Sequence, residues 1–414
     1  MRASILSIGD ELLIGQVVNT NASWLGDRLT ASGVAVVAIS TIGDVLDDIV
    51  REVERLAAMS DLVIVSGGLG PTDDDLTRDA VCALLGCDMA YDAAQLERIE
   101  RRFADGGIPM NERSRLQARV PSAARVLANN FGSAPGLDFR VGEARVIVLP
   151  GVPTELKGIV EEHLLPELAA ANPIERITLL VFGPTESALA DMLVDVAEFV
   201  GDGVSLAYLP SPGGIRLRAM RVRDDDEARS RYDRLVAGVR ERVEGVLVSD
   251  SGESLPEALG RELRARGLTL ATAESCTGGM IGELLTDVAG SSDYYLGGAV
   301  AYANDAKVAM LAVAPELIAT HGAVSAEVAE AMATGARERL GADIGVAVTG
   351  IAGPGGGTPE KPVGTVWIAV STASEVTSWH RTLGRQRDVV RQRAAYLAIE
   401  LARRAAVALQ RPVA

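Results

Sequence analysis

Leu268-Thr269-Leu270-Ala271-Thr272-Ala273-Glu274-Ser275-Cys276-Thr277-Gly278-Gly279 passes from a short apolar run into a polar turn closed by two glycines, and an amphipathic stretch follows. That order reads as a buried strand, a turn and a helix. Strands alternating with helices build a parallel sheet covered on both faces. Ligands bind such sheets at the carboxyl ends of the strands. Outward from this stretch, helix 253–266 precedes it and strand 294–302 follows. Helices near 304–312 and 325–340, strands 344–349, 363–371 and 375–383, and a long helix over 387–409 complete a C-terminal α/β domain.

The N-terminal part has the same rhythm. Strands are expected at 2–9, 34–42, 61–66 and 144–149, with helices near 20–32 and 47–59. Between the two lies a different order. ERITLLVFG (175–183) is a strand, 184–199 an amphipathic helix, and 204–210 and 215–223 are strands about a Pro-Gly-Gly turn. Helix 226–243 and strand 246–249 follow. That order, βαββαβ, implies a small two-layer domain. Its runs at 210–214 and 224–226 read as turns. The expected fold class is therefore α/β: N- and C-terminal three-layer αβα domains joined by a small α+β domain, with boundaries at 1–170, 171–250 and 251–414.

Composition narrows the function. The chain has 414 residues, 40 basic and 56 acidic side chains and a formal charge of −16. A nucleic-acid binder needs a basic footprint, so nucleic acid is not expected as the main partner. At 48% apolar residues the chain can fill sizeable cores, which excludes a disordered protein. Cys82, Cys87 and Cys276 form no disulfide framework and no zinc-ligand spacing, consistent with a reducing cytoplasm. No apolar run approaches bilayer length, and Asp10 and Glu11 interrupt the N-terminus before a signal-peptide core could form. Of the 40 basic residues only three are lysines: Lys157, Lys307 and Lys361. In a chain so rich in arginine, the surviving lysines are enriched for work arginine cannot do, such as proton transfer.

The 273–279 turn exposes Ser275 at a sheet edge beside a helix start, where unpaired N–H groups accept negative charge. Ser275 is a candidate nucleophile, with the Gly278 and Gly279 amides as candidate oxyanion donors. The same residues also suit a plain N-cap. A base must accompany a serine nucleophile. His321 precedes a helix entry capped by Ser325, and His380 lies in a predicted strand without an orienting acid, so a Ser-His-Asp triad has little support. Lys307, in Tyr302-Ala303-Asn304-Asp305-Ala306-Lys307, is the alternative if burial lowers its pKa. Thr349-Gly350-Ile351-Ala352-Gly353-Pro354-Gly355-Gly356-Gly357 is a glycine loop at another strand end, without the Gly-Lys-Ser/Thr close of a Walker motif. Segment 381–411 holds eight Arg against one Asp and one Glu, and one such arginine can hold a phosphate.

Three N-terminal loops also follow strands: Gly9-Asp10-Glu11-Leu12-Leu13-Ile14-Gly15 with Thr20-Asn21, Ser66-Gly67-Gly68-Leu69-Gly70-Pro71-Thr72-Asp73-Asp74-Asp75, and Pro150-Gly151-Val152-Pro153-Thr154-Glu155. They are expected to converge on one crevice. Gly67, Gly68 and Gly70 can offer amides to phosphate, and Asp10, Asp74 and Asp75 can hold a divalent cation. Solvated turns are the competing reading. Lys157 can add a phosphate contact or simply belong to a helix start, and His163 reads as structural.

The runs AESCTGG, GGAVAYANDAK, HGAVSAEVAEAMA, AVTGIAGPGGG with KPVGTV, and Arg387 with Arg391, together resemble the C-terminal domain of the CinA family over nearly all of 253–409. That domain is similar to the nicotinamide-nucleotide amidase PncC. The resemblance implies deamidation of nicotinamide mononucleotide to nicotinate mononucleotide and ammonia, with no cofactor. Ser275 would be the nucleophile, Lys307 its base, Tyr302 and Thr349 their support. Asn304, Gly278, Gly279, Gly350, Gly353 and Arg387 would contact substrate. Cys276 is the competing nucleophile, since a thiolate at a helix start is reactive. The GDELLIG, GGLGPTDDD and PGVPTE runs resemble the molybdopterin-binding fold of MoaB and MogA, in the version fused in CinA proteins, over about 3–165. That version implies metal-dependent hydrolysis of ADP-ribose to AMP and ribose 5-phosphate. The metal would lie on Asp74 and Asp75, and Asp10, Glu11, Asn21, Gly67, Gly68, Gly70, Thr72 and Glu155 would bind substrate. Molybdopterin handling is the alternative there, and a non-catalytic competence- or damage-associated protein is the alternative for the whole chain. The middle domain lacks a GxxG loop, which argues against a KH-like nucleic-acid role, and is assigned to packing or dimerisation. A cytoplasmic homodimer binding small nucleotides and no membrane is expected.

Overall fold

The computed structural model describes residues 1–72, 74–171, 175–223 and 225–409, and its chain separates into two compact units, Met1–Glu175 and Arg176–Ala414. Asp73 and Asp224, which belong to two of the expected turns, and Arg411 lie outside the described residues.

In the first unit, strands β1 (Arg2–Ile8), β2 (Ala35–Ile42), β3 (Leu62–Ser66) and β4 (Met89–Tyr91) alternate with helices, and β5 (Arg119–Pro121), β6 (Arg125–Leu127), β7 (Gly136–Val141) and β8 (Ala144–Leu149) follow one another without a helix between them. Six of them form a sheet in the order β2-β1-β3-β8-β7-β6. Its central strands β1, β3 and β8 are buried along almost their whole length, which makes it a middle layer. Ala3, Ile5, Leu62, Ile64, Ile147 and Leu149 face one core, with the helices Thr20–Ala31 and Pro153–Ile159. Leu6, Ile8, Val63, Val65, Val146 and Val148 face the other, with Leu46–Ala57 and Thr77–Leu85. The expected parallel sheet holds only for β2-β1-β3-β8, because β7 pairs antiparallel with both β8 and β6. The cause is the tight turn at Gly142 (φ 59°), which joins β7 to β8 and leaves no room for a crossover helix.

The second unit holds two sheets. β9 (Glu175–Val181), β10 (Val204–Ser211), β11 (Gly214–Arg221) and β12 (Leu247–Ser249) make a four-stranded sheet, order β10-β11-β9-β12, against the helix Asp226–Val243. The helix expected over 184–199 stops at Met192 and continues as 3₁₀ turns over Val194–Phe199, where β-branched Val194 and Val196 disfavour the α-helix. The second sheet joins β13 (Leu270–Glu274), β14 (Tyr295–Val300), β15 (Ile344–Gly350), β16 (Thr365–Ser371) and β17 (Val376–Thr382) in the order β14-β13-β15-β16-β17. Leu270, Val346, Val348 and Ile368 face the helices Leu255–Arg266 and Arg387–Ala408. Ala271, Ala273, Ala347 and Ala369 face Ala326–Leu340. Alanines on that face let the helix sit close: a Cβ on Gly345 would meet Ala333 O at 2.1 Å. The fold class is thus α/β, with a three-layer arrangement at each end of the sequence. No described helix is long and apolar enough to cross a membrane.

Candidate functional sites

β13 ends at Glu274, and the chain turns at once. The Ser275 amide donates to Val348 O at 3.0 Å, which fixes the turn to the end of β15. The Ser275 side chain is nearly buried, with its Oγ 3.2 Å from Lys307 Nζ. Lys307 projects from the helix Asn304–Leu311, is 1% exposed, and also donates to Ala301 O at 2.9 Å and Tyr302 O at 3.1 Å. Burial pushes its ammonium below the ordinary lysine range. A neutral amine has two hydrogens and one lone pair. Two carbonyls take the hydrogens, which leaves the lone pair for the serine hydroxyl. Cys276 is also buried, and burial pushes its thiol up to about 12, so it stays a thiol at neutral pH.

Glu274 organises the turn. Its carboxylate is 2% exposed and accepts from the amides of Gly279 (2.9 Å), Ile281 (3.1 Å) and Gly282 (2.9 Å). Sequence reading passed over it as part of the strand. The oxyanion assignment needs correction accordingly. Gly279 N is held by Glu274, and Gly278 N donates to Ser275 O at 3.1 Å, so neither amide is free for an oxyanion. The amide of Thr277 has no acceptor among the described residues, and its hydroxyl is buried without a partner.

Arg387, first residue of the long helix, donates to Gly353 O at 2.8 Å and Tyr302 Oη at 3.1 Å, and so joins three of the expected loops. Arg391, one turn on, donates to Thr277 O at 2.8 Å. Tyr302 is 60% exposed and Asn304 is exposed, so both can meet a ligand. Thr349 is placed otherwise: its buried hydroxyl donates to Ala323 O at 2.7 Å, not to Ser275 or Lys307. Gly350 packs against β16, where a Cβ would meet Thr365 O at 2.8 Å. The remaining histidines are not bases for Ser275. His380 packs on the Trp367 ring, and His321 Nδ1 lies 3.1 Å from Glu327. Lys361 ties its loop to His321 O and Val324 O at 3.0 and 2.8 Å.

In the first unit the three loops do border one crevice, of about 510 Å³, lined by Glu11, Gly67, Gly68, Gly70, Asp74, Asp75 and Glu155 among others. Gly67 (φ 115°) is where the strand ends meet: its amide donates to Leu149 O at 3.1 Å, and a Cβ would sit 2.2 Å from Ile8 O. Asn21 lies beneath, donating to Gly151 O at 2.7 Å and Ser66 Oγ at 3.3 Å. Glu155 is held by the Asn129 amide, which also bonds Ala134 O at 2.7 Å. Asp10 accompanies Asp44, whose carboxylate accepts the Asp10 amide at 3.1 Å. Lys157 lies over the Trp24 ring, and His163 Nε2 is 3.0 Å from Ala128 O, so neither serves the crevice.

Two expectations fail in this crevice. Asp75 turns back on its own loop, accepting from the Gly70 and Thr72 amides, each at 2.8 Å, and from the Thr72 hydroxyl. The Gly67 and Gly70 amides are therefore committed, and only Gly68 among the three glycines keeps an amide without an acceptor among the described residues. Asp74 and Asp75 also do not fit as a ready-made metal pair. Asp74 is exposed, and among the described residues no three His, Cys, Asp or Glu side chains converge as ligands. Sequence reading missed Asp44. Burial, followed by the charges of Asp10, Glu11 and Asp74, pushes its carboxyl up, against the opposing Asp10 amide bond. Its position just past the end of β2 was the available signal.

Comparison with known proteins matches these parts one by one. Residues 4–170 match the family described as "Probable molybdopterin binding domain", 176–247 the "Damage-inducible protein CinA KH domain" and 252–406 the "CinA C-terminal domain". The middle part thus carries a KH family match although it has no GxxG loop. A "CinA-like protein" of Salinibacter ruber is 44% identical over 98% of this chain and 99% of its own length. One of Gemmatimonas aurantiaca is 42% identical over 98% of this chain and 96% of its own. Among solved structures, a competence/damage inducible protein CihA from Agrobacterium tumefaciens is 44% identical, covering 36% of this chain and 90% of that one, with a TM-score of 0.35. With relatives this similar along almost its whole length, the chain belongs to the CinA family.

Proposed function

We propose that the C-terminal part of the second unit is an amidohydrolase that converts nicotinamide mononucleotide to nicotinate mononucleotide and ammonia. The supporting observation is the buried Lys307 amine 3.2 Å from Ser275 Oγ. Lys307 takes the hydroxyl proton as Ser275 Oγ bonds to the carboxamide carbon, and negative charge moves to the carboxamide oxygen beside the Thr277 amide. Collapse of the adduct breaks the carbon–nitrogen bond. Lys307 returns the proton to nitrogen, and ammonia leaves an ester on Ser275. Lys307 then removes a proton from water, which attacks the ester, and the serine recovers its hydrogen. Arg387 and Arg391 supply positive charge for the nucleotide phosphate.

The purified chain is expected to release ammonia and nicotinate mononucleotide in equal amounts, and no release sinks the reading. The pH profile follows from the direction of the Lys307 shift. The base must be neutral, so kcat/KM rises with pH on the acid side and levels off below the ordinary lysine value of 10.5. A rate that falls with rising pH across the same range contradicts Lys307 as the base.

For the first unit we propose hydrolysis of ADP-ribose to AMP and ribose 5-phosphate in the crevice of the three loops. The supporting observation is that these loops border one cavity large enough for part of a nucleotide. Its carboxylate-rich wall repels a bare diphosphate, so any divalent cation would arrive with the substrate rather than wait on an Asp74–Asp75 pair. AMP formation is expected to need an added divalent cation, and AMP formation undiminished by excess chelator contradicts the reading. Absence of turnover with tight pterin binding favours the molybdopterin alternative.

A further inference from the structure

A cleft of the Arg176–Ala414 unit plays no part in that chemistry. It has a volume of about 580 Å³ and lies between the first sheet of the unit and the far side of its long C-terminal helix. Three walls form it. On edge strand β17 and just beyond, Trp379, Arg381 and Leu383 alternate, so they share one face. On the helix, Arg393, Leu397, Glu400 and Arg404 follow at helical spacing. The third wall is the loop after β9 and the tip of the β10–β11 hairpin. That tip is pressed onto the helix: a Cβ on Gly213 would meet the Tyr396 ring at 2.9 Å.

The charges of the cleft are unbalanced. Glu400 is 2% exposed, and its carboxylate is consumed by Arg403 (2.8 and 3.0 Å) and Arg404 (2.7 Å). Arg381 donates to the neighbouring His380 O at 2.7 Å, and neither Arg381 nor Arg393 pairs with a carboxylate among the described residues. Two uncompensated guanidiniums therefore face one cavity, in a chain whose formal charge is −16. Beside them, the half-buried Trp379 indole offers a flat apolar surface. Arginines match phosphate through paired N–H donors, and an indole takes a flat ring. The cleft is also separate from the Ser275 site. Arg387 and Arg393 are six residues apart on one helix, a rise of about 9 Å and a rotation that leaves them about 120° apart.

From this we propose that the cleft is a second small-molecule site, which takes a nucleoside monophosphate with its ring on Trp379 and its phosphate on Arg381 and Arg393. The proposal does not depend on the amidase reading. AMP is the probe and indole emission the local reporter. Titration of the full-length chain with AMP should quench emission saturably, and Trp379→Phe should remove that quench. Arg393→Glu and Arg393→Gln should each shift the midpoint at least tenfold upward, with melting temperatures showing both variants folded. Adenosine should quench at least tenfold more weakly than AMP. No quench by AMP overturns the proposal. So does a quench unchanged in both Arg393 variants, or one that adenosine reproduces at equal concentration.

Discussion

Ser275→Ala and Lys307→Met are each expected to lower ammonia release from nicotinamide mononucleotide by about 10³-fold or more, while Cys276→Ala stays within about threefold of the unaltered chain. The asymmetry follows from the environment of each group. Both Ser275 and Cys276 are nearly buried in the same turn. Only the serine has a base at hydrogen-bond distance, 3.2 Å away. The thiol, pushed up to about 12, stays protonated and has no nucleophilic form to offer. Substrate KM should change little in Ser275→Ala, because removal of one hydroxyl leaves Arg387 and Arg391 in place. If Cys276→Ala falls as far as Ser275→Ala with an unchanged melting temperature, the serine assignment is wrong.

The second large effect is expected at Glu274. Its buried carboxylate holds three backbone amides in the turn that carries Ser275. Glu274→Ala strands those N–H groups in an interior that water does not reach. The expected cost is about 3 kcal/mol, the scale for unsatisfied buried groups bonded to a charge. For a unit of this size that corresponds to a melting temperature lower by about 6–12 °C. Activity falls with it, because Ser275 loses its anchoring. Glu274→Gln should fall between, since one amide oxygen still accepts. A melting temperature within 1 °C of the parent in Glu274→Ala contradicts this role.

The two glycine turns show where sequence reading succeeds and where it stops. Leu62, Ile64, Ile147 and Leu149 alternate with Val63, Val65, Val146 and Val148 across a sheet with helices on both faces, and such runs are legible as buried strands. The glycines mark the loops at the strand ends correctly. What sequence does not reveal is whether their amides are still free. In one turn Glu274 takes Gly279 N from five residues before, and in the other Asp75 takes Gly70 N from five residues after. Each loop brings its own carboxylate to satisfy its donors, so a glycine-rich turn at a strand end is not by itself an anion site. Asp75 is accordingly a clasp on its own loop and not the expected ligand.

The stretch 77–143 was the least legible. Arg119–Pro121 and Arg125–Leu127 are strands of three residues, too short to establish a period. The helix Ala93–Asp105 sets Leu96, Ile99 and Phe103 on one face of a charged sequence but fully buries only Gln95 and Ile99. In the C-terminal part the pairing of Ser275 with Lys307 is legible in the scarcity of lysine and in the family resemblance. The supporting chemistry around it was not: the Ala301 and Tyr302 carbonyls that orient the amine are backbone atoms and leave no mark on residue identity.

The most direct test is to intercept the ester on Ser275. With nicotinamide mononucleotide and added hydroxylamine, the full-length chain should form the nicotinoyl hydroxamate nucleotide at the expense of nicotinate mononucleotide. Ser275→Ala should form neither. Nicotinate mononucleotide made at full rate with no hydroxamate at any hydroxylamine concentration, or hydroxamate that persists in Ser275→Ala, would contradict a serine nucleophile activated by Lys307.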